Sequence, residues 1–173
     1  AAIVDADLFI VDDGAGGTNR KVTASRIKTY AGGANTPSFR ATMSANQTVG
    51  DGYAKLSMDT EDWDTDSAYD HSTNYRFTAP SAGKYWLSAW IDQGTTSNEE
   101  LNYPIVFYKN GSALKYYQPS PTYADNVARF RAQASMIVSL AEDDYIEVYC
   151  NGSSGNFTVA NGSSFEGFKL IGV

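Results

Sequence analysis

Asn74-Tyr75-Arg76-Phe77-Thr78-Ala79-Pro80-Ser81-Ala82-Gly83-Lys84-Tyr85-Trp86-Leu87-Ser88-Ala89-Trp90 reads as a strand, a tight turn and a second strand. Tyr75 and Phe77 share one face of an extended segment, because side chains alternate along a strand. Pro80 lacks the N–H that a ladder needs and Gly83 accepts backbone angles that other residues resist, so residues 80–83 form a turn. From Lys84 the alternation restarts. Tyr85, Leu87, Ala89 and Ile91 fall on one face, and Lys84, Trp86, Ser88, Trp90 and Asp92 on the other. Two tryptophans on the more polar face call for a cover other than water.

Working outward, residues 38–173 continue as strands with regular turn punctuation. Phe39-Arg40-Ala41-Thr42-Met43 and Tyr53-Ala54-Lys55-Leu56-Ser57-Met58 precede an expected acidic loop from Asp59 to Asp70. Strands over 103–109 and 112–117 flank Asn110-Gly111, a strong hairpin signal. Residues 129–140 alternate cleanly, with Phe130, Ala132, Ala134, Met136, Val138 and Leu140 on one face. Glu142-Asp143-Asp144 then turns the chain into a strand over 145–150, and further strands are expected around 157–159 and 165–173. Eight to ten strands with no long helix indicate an all-β sandwich or jelly roll.

Residues 1–33 differ. Leu8-Phe9-Ile10-Val11 and Lys21-Val22-Thr23 are expected to pair, and Thr23 or Ser25 to cap a short helix over 24–30 that Gly32-Gly33 ends. A β-β-α unit this small buries little by itself. Residues 34–37 read as a linker to the domain over 38–173.

Composition narrows the function. Twelve tyrosines, eight phenylalanines and three tryptophans favour strands. A net charge of −7 without a basic run argues against nucleic acid. The single cysteine, Cys150, permits no disulfide within the chain, falls in an apolar run as a buried thiol, and fits folding in a reducing cytoplasm. No apolar run approaches the ~20 residues of a membrane span, and the start carries no signal-peptide pattern. The opening Ala1-Ala2-Ile3-Val4 lacks an initiator methionine, and the expectation is a fragment or processed product with more chain before residue 1.

The first segment resembles a recurring module of phage tail-fibre and other virion proteins. The matching residues are Asp5, Asp7, Leu8 to Val11, Lys21-Val22-Thr23 and Ile27-Lys28-Thr29-Tyr30. The second part resembles the globular head of the complement-q/tumour-necrosis-factor superfamily. That likeness rests on Phe39-x-Ala41, on Tyr69-Asp70 shortly before Phe77-Thr78-Ala79-Pro80-x-x-Gly83-x-Tyr85, and on Tyr108-Lys109-Asn110-Gly111. Residues 139–148 resemble the family's "L-x-L-x-x-G-D-x-V-x-V" hairpin, and Ser164-Phe165-x-Gly167-Phe168-x-Leu170 its closing strand. Two departures are visible. Thr73-Asn74-Tyr75-Arg76 is one residue longer than the family's Thr-Gly phrase, and Asp143-Asp144 replaces Gly-Asp.

The resemblance implies a ten-stranded jelly roll that assembles as a homotrimer, with one sheet's outer face covered by the other subunits. Trp86, Trp90, Tyr145 and Tyr149 are the candidates for that covered face, because exposed aromatic patches mark interfaces. The alternative is shielding by loops of the same subunit. A fibre module in place of a collagen-like stalk directs the reading to a non-enzymatic knob at a tail-fibre tip on the virion, made in the host cytoplasm, that attaches to a host cell-surface receptor, a polysaccharide.

Trp63 and Tyr69 in the acidic loop, and Tyr116, Tyr117 and Tyr123 in a second aromatic stretch, are the ligand-binding candidates, since rigid rings give contact area at little entropy loss. Self-packing of each loop is the competing expectation. Asp62-x-Asp64-x-Asp66 copies the first three positions of a calcium loop, but Ser67 and Thr73 stand where glycine and glutamate are required. The expectation is no cofactor, with calcium on those three aspartates as the alternative. Catalysis finds little support: His71 is the lone histidine, beside Asp70 and Ser72. A glycan hydrolase using a carboxylate pair and a purely structural trimerisation knob remain the rival functions. Asn46, Asn110, Asn151, Asn156 and Asn161 form glycosylation sequons that turn-rich composition alone generates.

Overall fold

The computed structural model describes residues 4, 6–11, 20–30, 36–94, 104–117, 129–152 and 157–171. The chain forms two units, one spanning 1–35 and the other 36–171. In the first, β1 (Leu8–Val11) pairs antiparallel with β2 (Arg20–Thr23), which runs directly into α1 (Ala24–Tyr30). Phe9 opposes Val22 and both are half-buried, while Leu8 and Ile10 stay exposed on the other face. The Ala24 amide donates to the Asp7 carbonyl at 2.9 Å, and the hydroxyls of Thr23 and Ser25 hydrogen-bond at the helix start. Gly32-Gly33 falls outside the described residues.

The second unit is all-β. Its strands are β3 (Ser38–Thr42), β4 (Gln47–Val49), β5 (Gly52–Lys55), β6 (Thr60–Asp64), β7 (Tyr69–Asp70), β8 (Arg76–Thr78), β9 (Gly83–Gly94), β10 (Ile105–Lys109), β11 (Ser112–Tyr117), β12 (Arg129–Leu140), β13 (Tyr145–Gly152), β14 (Phe157–Val159) and β15 (Ser164–Lys169). One sheet has seven strands in the order β4-β14-β9-β15-β3-β6, with β12 along the other side of β9. The second has six, in the order β11-β10-β13-β8-β7, with β5 against the end of β13. The expected ten strands are thus exceeded, because short pairings such as the three residues of β4, the two of β7 and the three of β14 extend the ladders. Pro37, at the end of the expected linker, already belongs to this unit: its carbonyl accepts from the Lys169 amide at 3.0 Å.

The alternation along β9 decides which face is core. Tyr85, Leu87, Ala89 and Ile91 are fully buried between the sheets, as the sequence predicts. Phe39 on β3 joins the two layers, stacking on Phe77 of β8 at 4.7 Å and on Tyr69 of β7 at 5.3 Å, with Phe165 of β15 edge-on at 5.0 Å. Each such buried ring stabilises the fold by about 1.5–3 kcal/mol.

Three turns show how local chemistry fixes these ladders. Asn110 and Gly111 both take positive φ, 51° and 77°, the left-handed pair that suits a two-residue hairpin between β10 and β11. Asp143 adopts φ 68° in the Asp143-Asp144 turn that leads into β13, a conformation aspartate tolerates better than most residues. The longer phrase before β8 is taken up at Tyr75, with φ 49°. Asp70 holds that turn by accepting from the amides of Ser72, Thr73 and Asn74 and from the Asn74 side chain. These bonds, the Thr73 amide foremost, pull the Asp70 carboxyl well below the usual carboxylate range.

Residues 59–70 are not one open loop. Thr60–Asp64 forms β6 at the rim of the larger sheet, because β3 offers it an antiparallel partner; a register shift at Arg40/Ala41 leaves Asp62 as the extra, bulged residue.

Candidate functional site

The outer face of the larger sheet carries the two tryptophans. Cross-strand partners share a face in an antiparallel sheet, and Trp86 stands between Phe168 of β15 and Ile137 of β12. Its indole meets the Phe168 ring at 5.2 Å, while Ile137 is 63% exposed. The row continues around the β12 edge into a cleft of about 410 Å³ lined by Leu114, Lys115, Tyr117, Met136, Ile137 and Val138. Two pleat repeats along β9, Trp90 lies beneath the Arg131 guanidinium at 5.8 Å. Between them Ser88 is buried and accepts from the Gln133 amide at 3.3 Å, so the chain's own β12 shields part of this face. Both tryptophans nonetheless remain half-buried, outside the sandwich interior.

Tyr145 and Tyr149 do not join them. They lie on β13, in the opposite sheet, because β13 pairs with β8 and β10 and not with β9. The four aromatics therefore form two patches on the two outer faces. Tyr149 stacks on Tyr108 at 4.0 Å, and Tyr53 reaches Tyr108 and Tyr116 at 6.4 and 6.0 Å. Under these rings Val106, opposite both Tyr116 and Tyr149, is fully buried although it is not part of the interior cluster. Beside them Glu147 is buried, with Lys55 3.1 Å from its carboxylate and the Tyr149 hydroxyl donating to it at 3.4 Å. Arg76 lies over Tyr145 at 4.2 Å. Burial raises the Tyr108 and Tyr149 hydroxyls above the ordinary tyrosine value, so both stay protonated donors.

The ligand-binding candidates separate on exposure. Tyr116 is 52% exposed and Trp63 48% exposed. Tyr69 is buried: its ring packs against Phe39 and its hydroxyl donates to the Met58 carbonyl at 3.2 Å, which removes it from any ligand surface. Tyr117, next to Tyr116, points to the opposite side of β11, edge-on to Phe107 at 5.9 Å, with its hydroxyl donating to the Ser135 carbonyl of the other sheet. It ties the sandwich together. Tyr123 lies outside the described residues. Tyr53 and Tyr108 are the aromatics that the sequence reading missed.

The three aspartates do not converge. Asp62, at the bulge, lies 3.3 Å from Arg40 Nε, whereas Asp64 accepts from the amides of Asp66 and Tyr69 at 3.3 and 2.7 Å. Among the described residues, no three His, Cys, Asp or Glu side chains gather in a metal-binding group. His71 sits 2.9 Å from Glu61 and is half exposed. The Cys150 thiol is fully buried, and desolvation pushes it up to about 12, which leaves it an unreactive core residue.

The second unit is thus a sandwich of two antiparallel sheets, with the Phe39, Phe77 and Phe165 rings between them and the closing β15 beside β9. The second unit has the jelly-roll fold of the C1q and TNF domains. The globular domain of zebrafish complement 1qA superposes with a TM-score of 0.54 at 11% identity, covering 78% of this chain and 98% of that one. Eiger TNF from S. frugiperda gives 0.52 at 13%, covering 78% and 93%. Murine APRIL gives 0.55 at 10%, covering 78% and 98%. At these identities the likeness concerns the fold. No family model matches the chain, and no curated protein matches it.

Proposed function

We propose that this chain is the non-enzymatic receptor-binding head of a phage tail fibre or related virion protein, that it works as a homotrimer, and that its ligand is a host-surface glycan. The observation that carries the assembly is the Trp86–Phe168–Ile137 row, an apolar strip on a sheet face that a single chain leaves half open. Copies of the same chain cover it best, since the strip continues into the cleft at the β12 edge and gives one continuous surface for a neighbour. Support for the virion setting comes from the first unit, whose β-β-α order and Lys21-Val22-Thr23 phrase resemble fibre modules. Three heads on one fibre raise avidity for a weakly bound, repeated ligand without any new contact.

The side chains favour binding over chemistry. The lone histidine is a surface residue paired with Glu61, and the lone cysteine is enclosed. A glycan array probed with the purified chain, followed by a reducing-end assay on whatever binds, tests this reading. Retention of a glycan without new reducing ends is expected. Release of reducing ends would reassign the protein to the glycan hydrolases, and absence of any bound glycan would remove the ligand class.

A further inference from the structure

We infer that the outer face of the six-stranded sheet is a binding platform for neutral glycans, formed by Tyr53, Tyr108, Tyr116 and Tyr149 over Val106; this rests on the glycan-binding reading above and gives it a location. The four rings touch in one continuous group, from Tyr116 through Tyr53 and Tyr108 to Tyr149. Val106 is fully buried beneath them, while Tyr53 and Tyr116 keep 44% and 52% of their surface open to water. Single exposed apolar residues are ordinary, whereas exposed rings gathered in one patch mark a binding surface. A pyranose offers a patch of C–H groups to a ring face and hydroxyls at its rim, and tyrosine answers both with one side chain.

The chemistry of the surroundings selects the sugar class. Lys55 pairs with the buried Glu147 carboxylate at 3.1 Å beside the rings, so that carboxylate is occupied and the exposed Tyr53 and Tyr116 are left to meet a sugar. The chain as a whole carries −7, which repels a polyanionic partner. A neutral hexose chain meets no such repulsion. The position also fits: the apolar row at Trp86 lies on the opposite sheet, so a trimer closed through that sheet leaves the tyrosine face pointing outward. Trp63, by contrast, sits beside Arg40 and Asp62 at the rim of the larger sheet, away from this group.

The test compares the full chain with Tyr116→Ala, Tyr53→Ala, the double variant and Trp63→Ala on immobilised glucan, mannan and galactan oligosaccharides, with polygalacturonate as the acidic probe. Light scattering reports the mass of every variant. Expected are binding to at least one neutral glycan, a loss of tenfold or more in Tyr116→Ala, no measurable binding in the double variant, full binding in Trp63→Ala, and one common mass. A double variant that binds like the parent would overturn the platform while leaving the glycan-binding reading intact. Binding to polygalacturonate alone would overturn the neutral-sugar assignment, and a change of mass in the double variant would make this face a contact between copies. No binding by the parent chain would remove both the platform and the reading it rests on.

Discussion

The side-chain amide of Asn110 donates to the carboxylate of Asp144 at 2.7 Å, linking the β10–β11 turn to the turn that opens β13. The same carboxylate accepts from the Ala141 amide at 2.7 Å and lies 2.7 Å from Lys109, while Asn110 also takes the Tyr145 amide at 2.9 Å. Lys109 foremost, then Asn110 and Ala141, hold the Asp144 carboxyl down at about 2. A folded-state value below the unfolded one gives stability that is present above the unfolded value and lost as pH falls. Thermal unfolding followed by circular dichroism should therefore show a melting temperature that drops from pH about 4 towards pH about 2. Asp70, shifted in the same direction by the Thr73 amide, adds to the drop. Asp144→Asn should lower the melting temperature at neutral pH and flatten its fall below pH about 4; an unchanged acid profile would mean that the turn–turn link contributes nothing.

Gly167 of β15 pairs with Leu87 of β9 where there is no room for a side chain. A Cβ there would stand 2.5 Å from Leu87 Cδ2, 2.8 Å from the Trp86 carbonyl oxygen and 3.1 Å from Phe39. One of those atoms is backbone and two belong to the packed interior, so neither strand can give way cheaply. Gly167→Ala should cost about 1–3 kcal/mol in chemical denaturation. Gly83→Ala is the comparison: there the close atom is Lys169 Cε, on a flexible side chain, and the cost should be smaller.

Phe39 touches Phe77, Tyr69 and Phe165, and so holds both sheets at once. Phe39→Ala should destabilise by about 3–5 kcal/mol. Tyr69→Phe keeps the ring and removes only the hydroxyl bonded to the Met58 carbonyl, which should cost about 1 kcal/mol. A large loss in Tyr69→Phe with no loss in Phe39→Ala would place the joint between the sheets elsewhere.

Much of this is legible in the amino-acid sequence. The two-residue alternation of β9 identified Tyr85, Leu87, Ala89 and Ile91 as interior, and Asn110-Gly111 marked its hairpin, because both signals are local. Tyr69 was misplaced because β7 is two residues long, too short for alternation to show, and the acidic residues around it mimic a loop. Tyr116 and Tyr117 could have been separated by the same alternation that worked for β9. Tyr145 and Tyr149 could not have been parted from Trp86 and Trp90, since the sheet a strand joins depends on distant partners: Val106 for Tyr149, Ser164 for Trp90. The tyrosine platform stayed hidden for that reason, being gathered from β5, β10, β11 and β13. The bulge that turns Asp62 to Arg40 likewise depends on pairing with β3.

Trp86 and Ile137 face outward, so changing them should act on assembly and spare the folded chain. Size-exclusion chromatography with light scattering, on the parent chain and on Trp86→Ala and Ile137→Asp, decides the matter. The parent should have the mass of three chains, and both variants should shift towards one chain while keeping the parent's circular dichroism spectrum. A parent of one chain's mass, or variants that remain three-chain particles, would contradict assembly through this sheet.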